Sequence, residues 1–396
     1  MRVMIVGGGA SGMIAALTAS ETHEVLLFER QARLGRKLLA TGNGRCNLTN
    51  MHADVSHYHG QAPEFCRFAL ARFGAEETRR YFQQLGLLTV QEPSGRVYPY
   101  SDSANSVLDV LRLTLEQRKN VTILTGTEIL SLQKENGFTA YCAQDTFRAD
   151  RAIVCAGGLA GGKLGGTDSG YRLLGALGHS RTKLLPSLVQ IKTDTTFVRA
   201  LKGVRCNARV TYGGDVVTGE VQFTDYGVSG PAIFELSGAI AAAGGGALTL
   251  DLLPDHTAQS VQALLLARAA ALPALRAEDL LTGILHNRLG RVLVRAAGER
   301  LETPCGELSA AALASVARCV KRFSLPVSGT MGMESAQVTA GGVRTSEFFD
   351  RTMESRLCSG LYAAGEVLDI DGDCGGYNLQ WAWASGRLAG EMRTER

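Results

Sequence analysis

The 396-residue chain has no uninterrupted apolar run of the length that a membrane-spanning helix requires. Its longest weakly polar stretch, SGAIAAAGGGALTLDLL, is broken by three consecutive glycines and predicts a helix, a turn and a strand. The amino terminus lacks a positive segment, an apolar core and a cleavage site, so no secretory signal is expected. Charge of one sign is missing too. The 41 basic and 38 acidic side chains leave a net charge of +3, which argues against a partner held by a strong global field. Neither a nucleic-acid nor a membrane partner is expected, and the oligomeric state is left open. Nine cysteines, an odd number without CxxC spacing, exclude a redox or zinc motif of that kind and suit a reducing, cytoplasmic setting. His52, His57 and His59 fall together in a polar loop, but their spacing fits no zinc pattern, and no metal is expected.

What is present begins at the first residue. MRVMIVGGGASG carries a short apolar strand into Gly7, Gly9 and Gly12, and MIAALTAS then starts a helix. Gly7 permits a tight turn, Gly9 allows backbone to approach a pyrophosphate, and Gly12 allows close packing of helix on strand. The new helix points its unpaired N–H groups and the positive end of its dipole at the phosphates. A second strand, EVLLFER, places Glu29 about 20 residues past the glycines, where a carboxylate accepts hydrogen bonds from a ribose 2′-hydroxyl and repels a 2′-phosphate. The pattern specifies FAD or NAD rather than NADP at this site. With 45% apolar residues, the chain has material for two or three cores.

Two further glycine signals follow. RAIVCAGG ends a strand, Ala152 to Cys155, in Ala156, Gly157 and Gly158, and the alternating segment upstream of it, residues 121–151, predicts a three-stranded meander. Near the end, GLYAAGEVLDIDGDCGGYNLQWAWASGRLAG reads as a strand, Gly365-Glu366, an acidic loop, and a helix from about Leu379. There is only one dinucleotide fingerprint; the cluster AGGLAGGKLGG does not supply a second.

In order and distance these pieces resemble the flavoproteins with two dinucleotide-binding domains. The strings TGNGRCN, GRVYPYSDSANSVLDVL, FTDYGVSGPAIF, SGTMGMESAQVTAGGV and GGYNLQWAWASG narrow the likeness. They make the chain similar, over essentially its whole length, to the bacterial family that includes aminoacetone oxidases and bile-acid Δ4-reductase-like oxidoreductases. The resemblance implies an α/β fold: a split Rossmann-type FAD domain, residues 1–186 and 336–396, interrupted by a β-rich insert, 187–254, and a helical cap with return, 255–335. It places Gly7, Gly9, Ala10, Ser11 and Gly12 at the FAD pyrophosphate and Glu29, with Arg30 beside it, at the adenosine ribose. Arg36 and Lys37 neutralise phosphate, hold the loop, or are simply solvated. Gly42, Asn43, Gly44, Arg45, Cys46 and Asn47 run beside the isoalloxazine, with Cys46 a small neighbour rather than a redox thiol. Ile129, in the first meander strand, meets adenine through its backbone. Ala156, Gly157 and Gly158 lie against the adenosine and pyrophosphate, Gly365 and Glu366 near the ribityl chain. The helix after Gly376, Tyr377, Asn378 and Leu379 faces the flavin pyrimidine edge, where its dipole stabilises reduced, anionic flavin. Trp381 and Trp383 are read as packing residues.

Without a resident nicotinamide domain, NAD(P)H is expected to act as a transient donor to non-covalent FAD, with a small-molecule substrate. The preferred reaction is reduction of an enone. Two alternatives are oxidation of a small amine such as aminoacetone, yielding hydrogen peroxide, and a flavin-binding or RNA-associated protein without turnover. Tyr98, in GRVYPY, and Tyr226, in the insert, are candidate proton donors, since a phenol of ordinary pKa about 10 can protonate a developing enolate. Tyr100, in the same string as Tyr98, is a candidate of the same kind. Arg96 is the candidate carbonyl-orienting residue, and Asp225 a candidate amine ligand.

Overall fold

The apolar run RVMIV forms β1 (Arg2–Val6) and EVLLFE forms β2 (Glu24–Glu29); both are nearly continuous in burial, as strands covered on two faces must be. They lie inside a five-stranded parallel sheet whose order is Leu361–Ala363, Arg151–Val154, β1, β2, Val121–Thr125. These elements belong to a computed structural model describing residues 1–394. The chain divides into two units, Met1–Leu185 with Gln337–Arg396, and Pro186–Ala336. The fold is α/β and Rossmann-type in the first unit.

Between β1 and β2 runs α1 (Ala10–Ala19), with nine of its ten residues buried. It is covered by the C-terminal helix, Tyr377–Gly390, and the two backbones meet through glycine. A Cβ on Gly386 would stand 2.4 Å from the Ser11 carbonyl oxygen, and one on Gly390 2.6 Å from that of Ala15. The sheet, α1 and this helix share a core with Trp381 and Trp383, both essentially enclosed. The two indoles are packing residues with satisfied donors: Trp381 Nε1 donates to Gly365 O and Trp383 Nε1 to Leu48 O.

The antiparallel meander consists of Ser131–Glu135, Gly137–Tyr141 and Thr146–Ala149. The sequence places its first strand too early. Val121–Thr125 joins the parallel sheet beside β2 instead, and Ile129 lies in the connection, outside any strand. The reason is physical: an edge strand of a parallel sheet is half exposed, so its sequence alternates like a meander strand. The C-terminal helix also starts earlier than its apolar pattern suggests, at Tyr377, because left-handed Gly376 caps it.

Two small sheets carry the loops that concern function. Thr49–Asn50, Arg96–Pro99 and Thr89–Gln91 form one, in that order, and Asp371–Gly372 pairs with Tyr58–His59 in the other.

The second unit is built on a closed barrel of six strands: Ile191–Thr193, Gly227–Ser229, Asp215–Phe223, Arg205–Tyr212, Gly246–Asp251 and Phe323–Thr330. Helices Pro231–Ala243, Ala258–Ala271, Asn287–Ala296 and Ala310–Lys321 share its apolar core. The closing strand, Phe323–Thr330, lies within the stretch expected to be a helical cap. It pairs on both sides, with Gly246–Asp251 and Ile191–Thr193, and so removes the sheet's free edges.

A buried polar cluster anchors the first unit away from the glycine loops. His179 Nδ1 is 2.9 Å from Glu347 Oε2, and its Nε2 is 2.9 Å from Ser355 Oγ. The order serine, histidine, acid suggests nucleophilic chemistry, but Ser355 Oγ already accepts the Leu357 and Cys358 N–H groups, and the imidazole has no exposed surface. The cluster is a structural anchor. Ser355 then donates to Nε2, which requires neutral His179, and burial holds the imidazole below its ordinary pKa against the pull of Glu347.

Two predictions follow from packing and from linkage. Gly386→Val forces helix from helix and should cost roughly 1–3 kcal/mol, a melting temperature lower by roughly 2–12 °C in a unit of this size. Unchanged melting would show that the helix contact is not tight. Second, a base with a depressed folded pKa is fully tolerated above its unfolded value, and stability falls as pH drops from about 6.5 through the depressed value. His59, whose pKa is raised by its hydrogen bond to Asp373, acts in the opposite sense. The measurement is therefore a difference: the stability gap between wild type and His179→Gln, from urea midpoints, should narrow between pH 7.5 and 5.5. A constant gap would mean that His179 is not linked to folding.

Candidate active site

The three fingerprint glycines have three different reasons to be glycine. Gly7 has φ +110°, and a Cβ there would stand 2.3 Å from the Cys155 carbonyl oxygen; one on Gly12 would stand 1.8 Å from that of Gly7. The fold requires both. Gly9 has an ordinary φ of −80°, and a Cβ there would meet no protein atom within 4 Å. Nothing in the protein demands glycine at that position. It precedes α1, whose first turn has no side-chain cap and no acidic residue, so N–H donors are left open to a ligand.

Glu29 stands beside this turn at the end of β2. Its Oε2 accepts the Gly8 N–H at 2.9 Å and its Oε1 that of Gln31 at 2.7 Å. The carboxylate is thus oriented by backbone while each oxygen keeps a further lone pair. The chain after Val121–Thr125 passes close by, with Thr127 N–H donating to Glu29 O, and carries buried Ile129. The basic residues nearby bond to protein: Arg30 to Gly165 O, and Arg36 to Gln31 Oε1 at the exposed start of α2 (Arg36–Ala40). Lys37, also in α2, forms an ion pair of 2.7 Å with Glu366 Oε2. Glu366 Oε1 accepts the Thr339 N–H, and Gly365 donates its N–H to Ser385 Oγ. After the strand Arg151–Val154, Ala156 is half-buried. Gly157 is left-handed with open space at its Cβ position, whereas Gly158 is crowded by Thr339 and Glu366.

The TGNGRCN loop is tightly wound: Gly42, Asn43, Gly44 and Cys46 all have φ between +56° and +86°. Cys46 is enclosed, and burial pushes its thiol up to about 12, which keeps it protonated and unreactive. Arg45 lies 4.0 Å above the Tyr98 ring and is held by Asp102 at 2.5 Å and Glu92 at 3.3 Å. Tyr98 also touches Gly42; a Cβ there would be 3.4 Å from its ring. Burial raises the Tyr98 phenol, with Arg96 and Arg45 pulling the other way. Arg96, two residues along the strand, comes within 3.4 Å of the Cβ position of Gly375. Tyr98 and Arg96 are therefore brought together with both glycine loops.

The second loop, residues 371–378, is zipped to residues 50–59. Asp373 receives His57 Nδ1 at 2.9 Å on one oxygen and His59 Nε2 at 2.7 Å on the other. The His57 ring stacks on Tyr377 at 4.3 Å, Tyr58 donates to Tyr377 O, and Asn50 Nδ2 to Gly375 O. Asn378 bonds both the N–H and the carbonyl of Gly372, and Leu379 is partly buried in the first turn of the helix. Sequence reasoning missed Asn50, His57, His59 and Asp373 as organisers of this loop. The histidine cluster was its only visible sign, and it serves a carboxylate; among the described residues no three or more His, Cys, Asp or Glu side chains are placed so that they could hold a metal ion. Asn47 Oδ1, beside Gly376, is a buried acceptor without a hydrogen-bond partner.

Tyr226 and Asp225 lie in the barrel unit. The Tyr226 carbonyl accepts the Thr193 N–H, and Asp225 is engaged by Lys202 Nζ at 2.6 Å. Tyr100 is 74% exposed.

The residues of the first unit fit FAD. Open space at Gly9 and Gly157, an uncapped helix start beside an oriented carboxylate, and an orphan acceptor at Asn47 suit a pyrophosphate, a ribose and a flavin imide N–H. Residues 1–392 match the HI0933-like protein Rossmann domain. The chain belongs to this family. Among relatives, it is 41% identical to the 3-dehydro-bile acid delta(4,6)-reductase of Clostridium scindens, over 100% of this chain and 99% of that one. It is 32% identical to the ribosomal RNA dihydrouridine synthase of Escherichia coli, over 96% and 95% of the two chains. A solved structure of a variant E. coli quinol fumarate reductase FrdA shares the fold, with TM-score 0.50 and 18% identity over 99% of this chain and 69% of that one. This HI0933-like protein is an FAD-dependent oxidoreductase.

Gly9→Ser provides a direct test of why Gly9 is glycine. Serine is a good N-cap, so the apoprotein should melt no lower than wild type, yet the added side chain should weaken FAD about tenfold or more. Titration of apoprotein with FAD measures this, and wild-type affinity would remove the ligand from that turn. Glu29→Ala should weaken FAD by about 1.5–3 kcal/mol, and Glu29→Gln by less, because the amide keeps an acceptor.

Proposed function

We propose that this enzyme reduces a carbon–carbon double bond conjugated to a carbonyl, with NAD(P)H as the electron donor. The observation that carries the reading is the placement of Tyr98 and Arg96 on one short strand, against both the TGNGRCN loop and the loop before the C-terminal helix. The names of the two relatives support it from outside: a delta(4,6) 3-dehydro compound and uridine both present a C=C bond in conjugation with a carbonyl.

In this reading Gly7, Gly9, Ala10, Ser11, Gly12 and Glu29 hold the adenosine and pyrophosphate of FAD. The loop Gly42 to Asn47 and the turn Gly376 to Leu379 hold its ring end. When bound, FAD supplies the hydride chemistry between nicotinamide and carbon. Arg96 orients and polarises the substrate carbonyl, which concentrates electron demand at the β-carbon. Tyr98 delivers the proton to the α-carbon. Its burial keeps the phenol protonated at neutral pH, which is the state a general acid needs. Arg45, clamped by Glu92 and Asp102, fixes the ring of Tyr98. Tyr226 is the second candidate acid. Amine oxidation lacks comparable support, since the expected amine ligand, Asp225, is paired with Lys202.

The test separates the half-reactions. Enzyme reduced by NADH or NADPH under anaerobic conditions is mixed with an enone and the return of oxidised flavin absorbance is followed. Tyr98→Phe should slow this reoxidation by about 10²–10⁴-fold while leaving reduction by the nicotinamide nearly unchanged. Wild-type reoxidation by both Tyr98→Phe and Tyr226→Phe would exclude these tyrosines as the acid. Bleaching by aminoacetone without oxygen, with no reoxidation by any enone, would replace the reductase by an oxidase.

A further inference from the structure

Residues 371–376, which read DGDCGG, have little shape of their own. Half of them are glycine, and Gly375 and Gly376 have φ of +143° and +103°. What fixes the segment comes from residues 57–59. His57 O accepts the Asp373 N–H at 3.0 Å, and Asp371 and Gly372 pair with His59 and Tyr58 in the small ladder. The two imidazoles then take one carboxylate oxygen of Asp373 each. His57 also stacks on Tyr377, the first residue of the C-terminal helix. One imidazole therefore touches both the loop and the helix start.

The charges at this point oppose one another. The helix Tyr377–Gly390 has no side-chain cap and no acid in its first turn, so its start presents free N–H groups and about half a positive charge. Asp373 stands four residues earlier and carries a full negative charge, which outweighs the dipole unless it is compensated. Burial pushes its carboxyl up, but the hydrogen bonds from His59 and His57 prevail and hold it below the ordinary range, so it is ionised at neutral pH. An imidazolium beside it cancels that charge, and the bond to Asp373 raises His59 above its ordinary value. Of the other groups facing the pair, Asp371 acts on His59 and Asp54 on His57, and neither can supply positive charge. The phenols of Tyr58 and Tyr377 pack alongside, Arg67 is spent on Glu64, and Arg96 approaches the Cβ position of Gly375. The two histidines are the groups bonded to Asp373 that can cancel its charge.

We propose that His57 and His59 are positioning residues for the flavin, which hold Asp373 with its charge cancelled beside the helix start and so raise the reduction potential of bound FAD. This rests on the reading that places the flavin ring at the turn Gly376 to Leu379, and not on an enone as substrate. Reduction adds negative charge to the ring, so a compensated Asp373 favours the reduced form and a bare one the oxidised form.

The experiment measures the midpoint potential of the holoenzyme anaerobically against a reference dye, from about pH 6 to about pH 9, across the titration range of histidine. Wild type is compared with the double variant His57→Gln, His59→Gln, with Asp373→Asn, and with the triple variant that combines them. At the acid end the double variant should hold reduced FAD about tenfold less tightly relative to oxidised FAD, a potential lower by about 30 mV for a two-electron couple. Compensation by a group of raised pKa is present at low pH and lost as pH rises through that value, so the gap should close toward the alkaline end. Asp373→Asn should not lower the potential, and the triple variant should return to the wild-type value. A gap that does not change with pH, or an equal fall in Asp373→Asn, would leave the histidines a role in loop shape alone and overturn the proposal. If the double variant loses FAD, His59→Gln decides in its place, because that side chain is 57% exposed. Asn47→Asp is the control for the ring's position, since a carboxylate added there should lower the potential of a flavin at this turn. A shift in Asn47→Asp with none in the histidine variants overturns the histidine role and keeps the placement, whereas no shift in either removes the ring from the helix start and the proposal with it.

Discussion

The first unit is organised around backbone meeting backbone. The turn after β1 lies on Cys155, α1 closes back on that turn through Gly12, and the C-terminal helix seats on α1 through Gly386 and Gly390. At each contact a single methyl group would displace main chain rather than a flexible side-chain end. This is why one short segment, residues 7–12, touches structure from the middle and the end of the chain. Because α1 is buried on nearly all sides, its free N–H donors are the only part of it left to face a ligand, and they are aimed by the same contacts that hold the helix. In the proposed placement of FAD, cofactor position and core packing are therefore one constraint.

Around that scaffold, acidic groups are fixed before any ligand is considered. Glu29 is oriented by two backbone N–H groups, Glu366 by Lys37 and Thr339, and Asp373 by two imidazoles. A carboxylate near a dinucleotide would repel it unless its charge is spread or paired, and each of these is. The TGNGRCN loop obeys the same logic with opposite sign, since Arg45 is held by Asp102 and Glu92 and is spent on shielding Tyr98. The result is an ordered site in which Arg96 remains available next to Tyr98. No salt bridge links Arg96 to a carboxylate among the described residues, which suits a group that meets a substrate carbonyl.

Features set by neighbouring residues were legible in the sequence. The strand, glycine turn and helix at residues 2–19 follow from conformational freedom and apolar run length. The Rossmann-type class follows from finding that unit together with a second strand ending in an acid. Reading failed where burial is asymmetric. Val121–Thr125 alternates because it is an edge strand, and nothing local distinguishes that from a meander, so Ile129 was placed in a strand it does not enter. Phe323–Thr330 alternates too, but it is separated by some seventy residues from Gly246–Asp251, the strand it pairs with, and the intervening helices masked it.

The sequence by itself determined the nucleotide-binding class of the first unit and the acid at the end of β2, because each depends on residues within one supersecondary unit. Tertiary structure alone decided which polar groups share a site. Asp373 meets His57 across more than three hundred residues, Arg45 covers Tyr98 from a separate loop, and Gly9 differs from Gly7 and Gly12 in what its missing side chain would touch. Those relations depend on distance in space, which spacing along the chain does not encode once the core has brought remote segments together.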